Sequence, residues 1–519
     1  MKKMFVSTLL LPFMISFAFA QETVNLQMMQ KIKEEEKNHS QIAMLAHNLT
    51  DVSGPRLTNS PGYKRALDLV TELCKGWGID NAGPEAWGEF GKGWSNEASV
   101  LALKFPYYEN IIAYPVPWCK STRKNVKSEL VMLEHLDSAS IDKLGDAIKG
   151  KIVMIKPTSE TIPDAFKASA TRYGDSSLDN LPDDYMVTAD EIKQFLPFAK
   201  SEYYTKQYLS KKGAIGLVRS DRSSRDGTVF VDGGTGYDKR FEATLPEVKT
   251  SREDYLKLYR LIKDNKKVEL EMNVQNTFYE NDLTGYNFVA EIPGTDPLLK
   301  SQVVMLGGHL DSWAGGTGAT DNAAGSIVML EAIRILKTLG IQPRRTIRIA
   351  LWGGEEQGLY GSFGYVKKHY GDPINMQLSA EQANISAYYN LDNGSGKIRG
   401  IYAQGNPAVR ELFKSWLTPF ADMGAAGGVT MSNTGSTDHL SFDAVGIPGF
   451  QFIQDPLEYE TRTHHSNMDT YEHLSISDLQ QAAIVVAAFV YNTAMRNDMI
   501  PRKPLPKPEK FIFDLEFPF

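Results

Sequence analysis

Three short apolar runs each lead straight into a polar group carrying histidine or acid, and this arrangement constrains the fold most. Val303–Leu306 runs into Gly307-Gly308-His309-Leu310-Asp311. Ile347–Trp352 runs into Gly353-Gly354-Glu355-Glu356, and Ala387–Leu391 into Asp392-Asn393-Gly394. Each run has strand length. Between the first two lies Asn322–Leu339, apolar on most faces at helical spacing. Strands alternating with helices predict an α/β fold, a mostly parallel central sheet flanked by helices. In open sheets of this kind ligands bind beyond the carboxyl ends of the strands. His309, Asp311, Glu355, Glu356 and Asp392 therefore converge on one edge.

The rest of the chain is organised around that core. At roughly 100–200 residues per domain, 519 residues predict two to four domains. The expected division is a leader at 1–20, an N-terminal part of the main domain at 21–124 and a smaller insert at 125–280. The main domain then runs over 281–500, with a proline-rich tail at 501–519. Ser60-Pro61 opens a helix through Ala66, Leu67, Val70 and Cys74 that closes at Gly76, Pro and Gly being start and stop signals. The insert shows short apolar runs, Lys151–Ile155 and Ala214–Val218, among polar loops, and Lys167–Asp190 is polar and turn-rich. The late apolar stretch Ala482–Val490 is far too short to span a bilayer.

Composition excludes several classes. With 42% hydrophobic and 23% charged residues the chain is an ordinary globular one. A net charge of −7 and the lack of a long basic run exclude a nucleic-acid partner. Lys2 and Lys3, an apolar run from Met4 to Phe19 and the ending Ala18-Phe19-Ala20 describe a secretory leader. No cysteine follows Ala20 to carry a lipid, so a periplasmic or extracellular protein without a stable membrane anchor is expected. Cys74 and Cys119 could pair in such a compartment or stay free, and two thiols cannot build a four-cysteine zinc site.

Taken singly, each polar residue has a plain structural role. Asp392 suits a turn, Asp321 a helix N-cap, and Glu355-Glu356 a solvated pair at a helix start. Jointly they form a set of imidazole and carboxylate donors suited to divalent cations, and one bridging carboxylate would let two ions share the site. One of the adjacent glutamates can then ligate while the other serves as general base. A further histidine is needed, and His464-His465 offers two. Competing motifs fail. Gly145–Lys151 resembles a phosphate loop but lacks the following Ser/Thr, and a strand follows where a helix is required. No serine has the G-x-S-x-G elbow, and neither cysteine neighbours the cluster.

At these residues the chain resembles the two-zinc exopeptidases, the family of bacterial zinc aminopeptidases and glutamate carboxypeptidase, and within it the carboxypeptidase Q branch. The likeness lies in Gly54–Leu57, His309–Trp313, Thr320–Gly325, Trp352–Gly358, Asn390–Asp392, Ser436–His439, His465-Ser466 and Asp469-Thr470. It implies two Zn2+, one held by His309 and Asp392, the other by Glu356 and His465, with Asp321 bridging. It further implies Glu355 as general base and Asp311 as the residue that orients His309. His464 stands where several relatives carry a tyrosine that steadies the tetrahedral intermediate. A cis Asp321-Asn322 peptide is also implied, as are peptide substrates and a protease-associated-like insert over the site; a homodimer is compatible. Two alternatives remain at this point: a glutaminyl cyclase-type enzyme with one zinc, and a non-catalytic peptide-binding ectodomain. Which peptide terminus is read, and which divalent metal is native, stay open.

Overall fold

Two eight-stranded sheets divide the chain between them. A computed structural model describes residues 24–508 apart from 164, 184–188, 426 and 433. The leader expected at 1–20 and the end of the tail lie outside the described residues. The first sheet runs Asp80–Glu89, Thr284–Ile292, Thr346–Trp352, Val303–His309, Ile385–Asn390, Gly449–Gln454, Ile398–Tyr402 and Gly428–Thr430. Its four central strands are parallel, as the alternation of strands and helices predicts. The Asp80, Thr284 and Ile398 strands pair antiparallel, so the sheet as a whole is mixed.

Burial explains the apolar runs. Every residue of Val303–His309 is buried, because helices cover both faces and leave no solvated side to alternate toward. Val304, Leu306, Ile347, Ile349 and Leu351 join the helices Ala324–Thr338 and Ile476–Met495 in one core. Met305, Ala350 and Trp352 point the other way, into a second core with Tyr365, Val366 and Phe442. The period-two alternation thus separates two apolar faces. Ser60 caps the helix Pro61–Gly76, its hydroxyl accepting the Tyr63 N–H, and Ala66, Leu67, Val70 and Cys74 form the buried stripe.

The second sheet lies wholly between Glu89 and Thr284, so it is inserted into the first. Its order is Glu109–Asn110, Gly93–Phe105, Glu269–Tyr279, Val126–Leu133, Ile152–Ile155, Gly216–Arg219, Glu247–Thr250 and Ala113–Pro115. Three of these strands precede residue 125, where the insert was expected to begin. The reason is long-range: Gly93–Phe105 pairs along its length with Glu269–Tyr279, burying Leu101 and Leu103 beside Leu270, Met272 and Val274. Nothing near residue 93 announces a partner so far along the chain. The polar stretch at 167–183 straps the insert to the first sheet. Thr171 bridges to Leu457, Arg172 pairs with Asp455 at 2.9 Å, and Asp183 pairs with Arg410 at 2.5 Å. The tail is tied down as far as it is described. Arg502 donates to the Gln382 and Ile385 carbonyls, and Lys503 to that of Gln404. Cys74 and Cys119 are both free, buried in different cores.

Candidate metal centre

Beyond the carboxyl ends of the central strands the structure brings together all eight residues singled out in the sequence. His309 closes its strand and is 1% exposed. Its Nδ1 lies 3.0 Å from the Asp311 carbonyl and 3.6 Å from the Asp311 carboxylate. The carbonyl is therefore the nearer orienting group. The Asp311 carboxylate mainly accepts the Thr58 hydroxyl at 2.9 Å and the backbone N–H groups of Glu355 and Glu356. On its other side, His309 Nε2 stands 3.3 Å from both Asp321 and Asp392 and 3.9 Å from Glu355.

Asp321 sits where the chain turns sharply ahead of the helix Ala324–Thr338, and the Asp321-Asn322 peptide is cis. Asp469 fixes this turn. Its carboxylate accepts the Thr320 N–H at 2.6 Å, the Thr320 hydroxyl at 2.8 Å and the Asp321 N–H at 3.1 Å. Asn322 completes it by donating to the Leu391 carbonyl and accepting the Gly325 N–H. The Asp321 carboxylate faces two directions: Oδ1 toward His309, Oδ2 toward His465 at 3.3 Å and His464 at 3.8 Å.

Glu355 and Glu356 follow a tight turn. A Cβ on Gly353 would come within 2.1 Å of the Tyr63 hydroxyl, and Gly354 has φ +74°. Glu356 accepts the Trp313 N–H at 3.2 Å, and its Oε2 lies 3.1 Å from His465 Nε2. His465 thus reaches both Asp321 and Glu356, whereas His464 approaches Asp321 alone and packs at a tilt against the Tyr459 and His465 rings. A cavity of about 450 Å³ opens onto Asp321, Glu355, Glu356, Asp392, His464 and His465.

The donor set fits cations. Two groups, His309/Asp321/Asp392 and Asp321/His464/His465, each hold their ligand atoms within 4.8 Å of one another and share Asp321. Asp321 Oδ2 and Asp392 Oδ1 are buried without a hydrogen-bond partner. Acids crowd the site to the point of strain. Burial, then the Asp321 charge, drives the Glu356 carboxyl well above its usual range. Burial and Asp321 likewise push Asp469 to about 7. Burial alone would lower His309 and His465. The surrounding carboxylates outweigh it, Asp392 first for His309 and Glu356 first for His465, and hold both imidazoles charged well above the histidine range. Positive charge is what this cluster lacks.

Sequence reasoning assigned no role to Arg56, Thr58 or Asp469. Arg56, fully buried, donates to the carbonyls of Leu49, Leu310, Thr317 and Gly318 and so pins the loop after His309. A buried arginine and a paired Asp-Thr were visible signals, but their partners are set by the fold.

Comparison with known proteins agrees. The sequence pattern of peptidase family M28 matches residues 287–490. Carboxypeptidase Q of Bos taurus is 25% identical over 497 residues, covering 91% of this chain and 93% of that one. The peptidase M28 precursor from Shewanella amazonensis SB2B superposes with a TM-score of 0.66 at 22% identity, covering 93% of this chain and 99% of that one. BSAP, a zinc aminopeptidase from Bacillus subtilis, superposes at 0.53 with 20% identity, covering 88% of this chain and 95% of that one. Residues 287–490 thus match peptidase family M28, and along most of its length the chain is similar to exopeptidases.

Proposed function

We propose that the protein is an exported di-zinc exopeptidase that hydrolyses the terminal peptide bond of dipeptides and short peptides. The observation that carries this reading is the pair of donor groups sharing the Asp321 carboxylate. His309 and Asp392 would hold one ion, Glu356 and His465 the other, and Asp321 would touch both. Zinc bound there would polarise the scissile carbonyl and make water a nucleophile near neutral pH.

The chain's own residues carry the remaining work. Glu355 lines the cavity, is 9% exposed, and carries no ligand duty in this assignment. Burial first, then the neighbouring Asp392, raises its carboxyl well above the usual range. A carboxylate of raised basicity can take the attacking water's proton and return it to the leaving amine. Asp311 holds the Glu355 N–H and so fixes the base relative to His309. His464, half-exposed at the cavity wall, would donate a hydrogen bond to the carbonyl oxygen as it gains charge. The insert, read as a protease-associated-like module, packs its Val229–Val231 segment against the stretch that carries His465. The charged start and apolar run of residues 2–20 support export. Among the described residues no helix is long and apolar enough to cross a membrane.

The testing experiment is metal analysis joined to a dipeptide panel, each peptide supplied free and N-acetylated. Two zinc equivalents and turnover are expected. One equivalent with cyclisation of N-terminal glutamine would establish the cyclase alternative instead. Cleavage of free forms only would identify an amino-terminal reader; cleavage of acetylated forms as well would identify a carboxypeptidase.

A further inference from the structure

His465 is not held by its own domain alone. The insert sends a loop between Gly216–Arg219 and Glu247–Thr250 against the segment that carries it. Val231 N–H donates to the His465 carbonyl at 2.6 Å, and Phe230 bridges antiparallel to Ser466. Asn467 N–H donates to the Val229 carbonyl at 3.0 Å, and its side chain accepts the Val229 N–H at 2.7 Å. Val231 is fully buried against Gly315, where an added Cβ would come within 2.9 Å of the valine Cβ. This short sheet holds His465 in the left-handed region, φ +57°.

The next residue of that loop is Asp232. Its Oδ2 lies 3.9 Å from His465 Nδ1, the ring nitrogen opposite the one facing Glu356 and Asp321. Its Oδ1 pairs with Lys249, on the insert strand Glu247–Thr250. Metal-bound histidines almost always have a carboxylate or carbonyl on the ring nitrogen away from the ion, which fixes ring orientation and raises ligand basicity. His309 has such a group within its own strand end, the Asp311 carbonyl. For His465 the corresponding carboxylate comes from the insert.

We propose that Asp232 is the positioning residue for His465, so that the ion held by Glu356 and His465 is bound tightly only when the insert is docked. This rests on the di-zinc reading above. Lys249 keeps the Asp232 carboxylate turned to the ring, and the Val229–Val231 pairing sets the distance.

The test is zinc titration of the full mature chain for wild type, Asp232→Asn, Asp232→Glu and His465→Ala, with thermal unfolding of each metal-free protein. Asp232→Asn should weaken one zinc equivalent by about 10–100-fold and leave the other unchanged. Asp232→Glu should recover part of that loss. The metal-free melting temperature should fall only slightly, because the Asp232 side chain that pairs with Lys249 and faces His465 is 46% exposed. Two equivalents at wild-type affinity in Asp232→Asn, with one lost in His465→Ala, would overturn the inference and leave the di-zinc reading intact. Equal weakening of both equivalents with a lower melting temperature would overturn it in favour of a purely structural role. If His465→Ala itself kept both ions, the ligand assignment beneath the inference would fall.

Discussion

The two halves of the candidate centre are built differently. His309 and Asp392 stand at the ends of adjacent parallel strands, paired from Val303 with Ile385 to Gly307 with Asn390. Their spacing is set by the sheet, and the His309 side chain is 1% exposed. Glu356 and His465 come from loops, and the His465 side chain is 26% exposed. What the sheet does for one half, the Trp313 N–H and the insert loop do for the other. Ligands on strand ends inherit their geometry from the core; ligands on loops need outside props, and those props can move. The binding site on the sheet side should therefore be the more robust.

Asp321 belongs to both halves, so it tests the comparison most severely. Asp321→Ala should empty both zinc equivalents by elemental analysis and abolish turnover; retention of one full equivalent would show that the halves do not share it. Glu355→Gln should lower kcat by about 10²–10⁴-fold with metal content unchanged in both halves. A near-native rate would remove Glu355 from its role.

Acidity should distinguish loaded from stripped protein. His309 and His465 are held charged above their usual range, so each stabilises the stripped fold fully below an unfolded value of about 6.5. That contribution is lost as pH rises through the raised value. Glu356, raised and hence protonated longer in the fold, destabilises in the same direction as pH rises. The melting temperature of the chelated protein should fall from pH 6 to 9, and zinc should flatten the curve. A flat curve without metal would mean that the imidazoles do not carry the charge assigned to them.

The smallest effect lies away from the centre and serves as a control. Glu36, on the helix Leu26–His39, is 1% exposed, and neither of its oxygens has a hydrogen-bond partner. It faces Glu331, whose carboxylate is occupied by Arg334 at 2.7 and 2.9 Å. Burial, then Glu331, keeps Glu36 protonated well above the usual range. Glu36→Gln should raise the melting temperature at pH 8, by roughly 1 °C per kcal/mol recovered in a chain of 519 residues, and change nothing near pH 4. Zinc affinity should stay the same; a change there would couple the helix to the site.

The same contrast explains what could be read in advance. His309, Glu355 and Asp392 were legible because strand ends are marked locally, by an apolar run that stops at a polar residue. His464 and His465 were legible as a pair, but only the fold shows that His465 alone reaches both Asp321 and Glu356. Asp232 carried no signal at all, being one acid among many in a polar loop. The insert's first strands were missed for a related reason. Gly93–Phe105 finds its partner at Glu269–Tyr279, and pairing at that separation leaves no trace in local spacing. Asp311 was singled out for its side chain, while its backbone carbonyl stands nearer to His309.

Arg56 gives the molecule a further property. Its guanidinium ties the Leu49 carbonyl to Leu310, Thr317 and Gly318, so a segment far upstream of the family-matching region 287–490 closes the loop beside the candidate metal centre. Thr58 and Tyr63 reach the Asp311 carboxylate and the Tyr286 carbonyl in the same way. A fragment cut at the edges of the recognisable pattern would leave the Leu310, Thr317 and Gly318 carbonyls without their donor and the loop after His309 without its anchor. The portion of this chain that can be exchanged, transplanted or expressed alone is longer than the portion by which its ancestry is recognised.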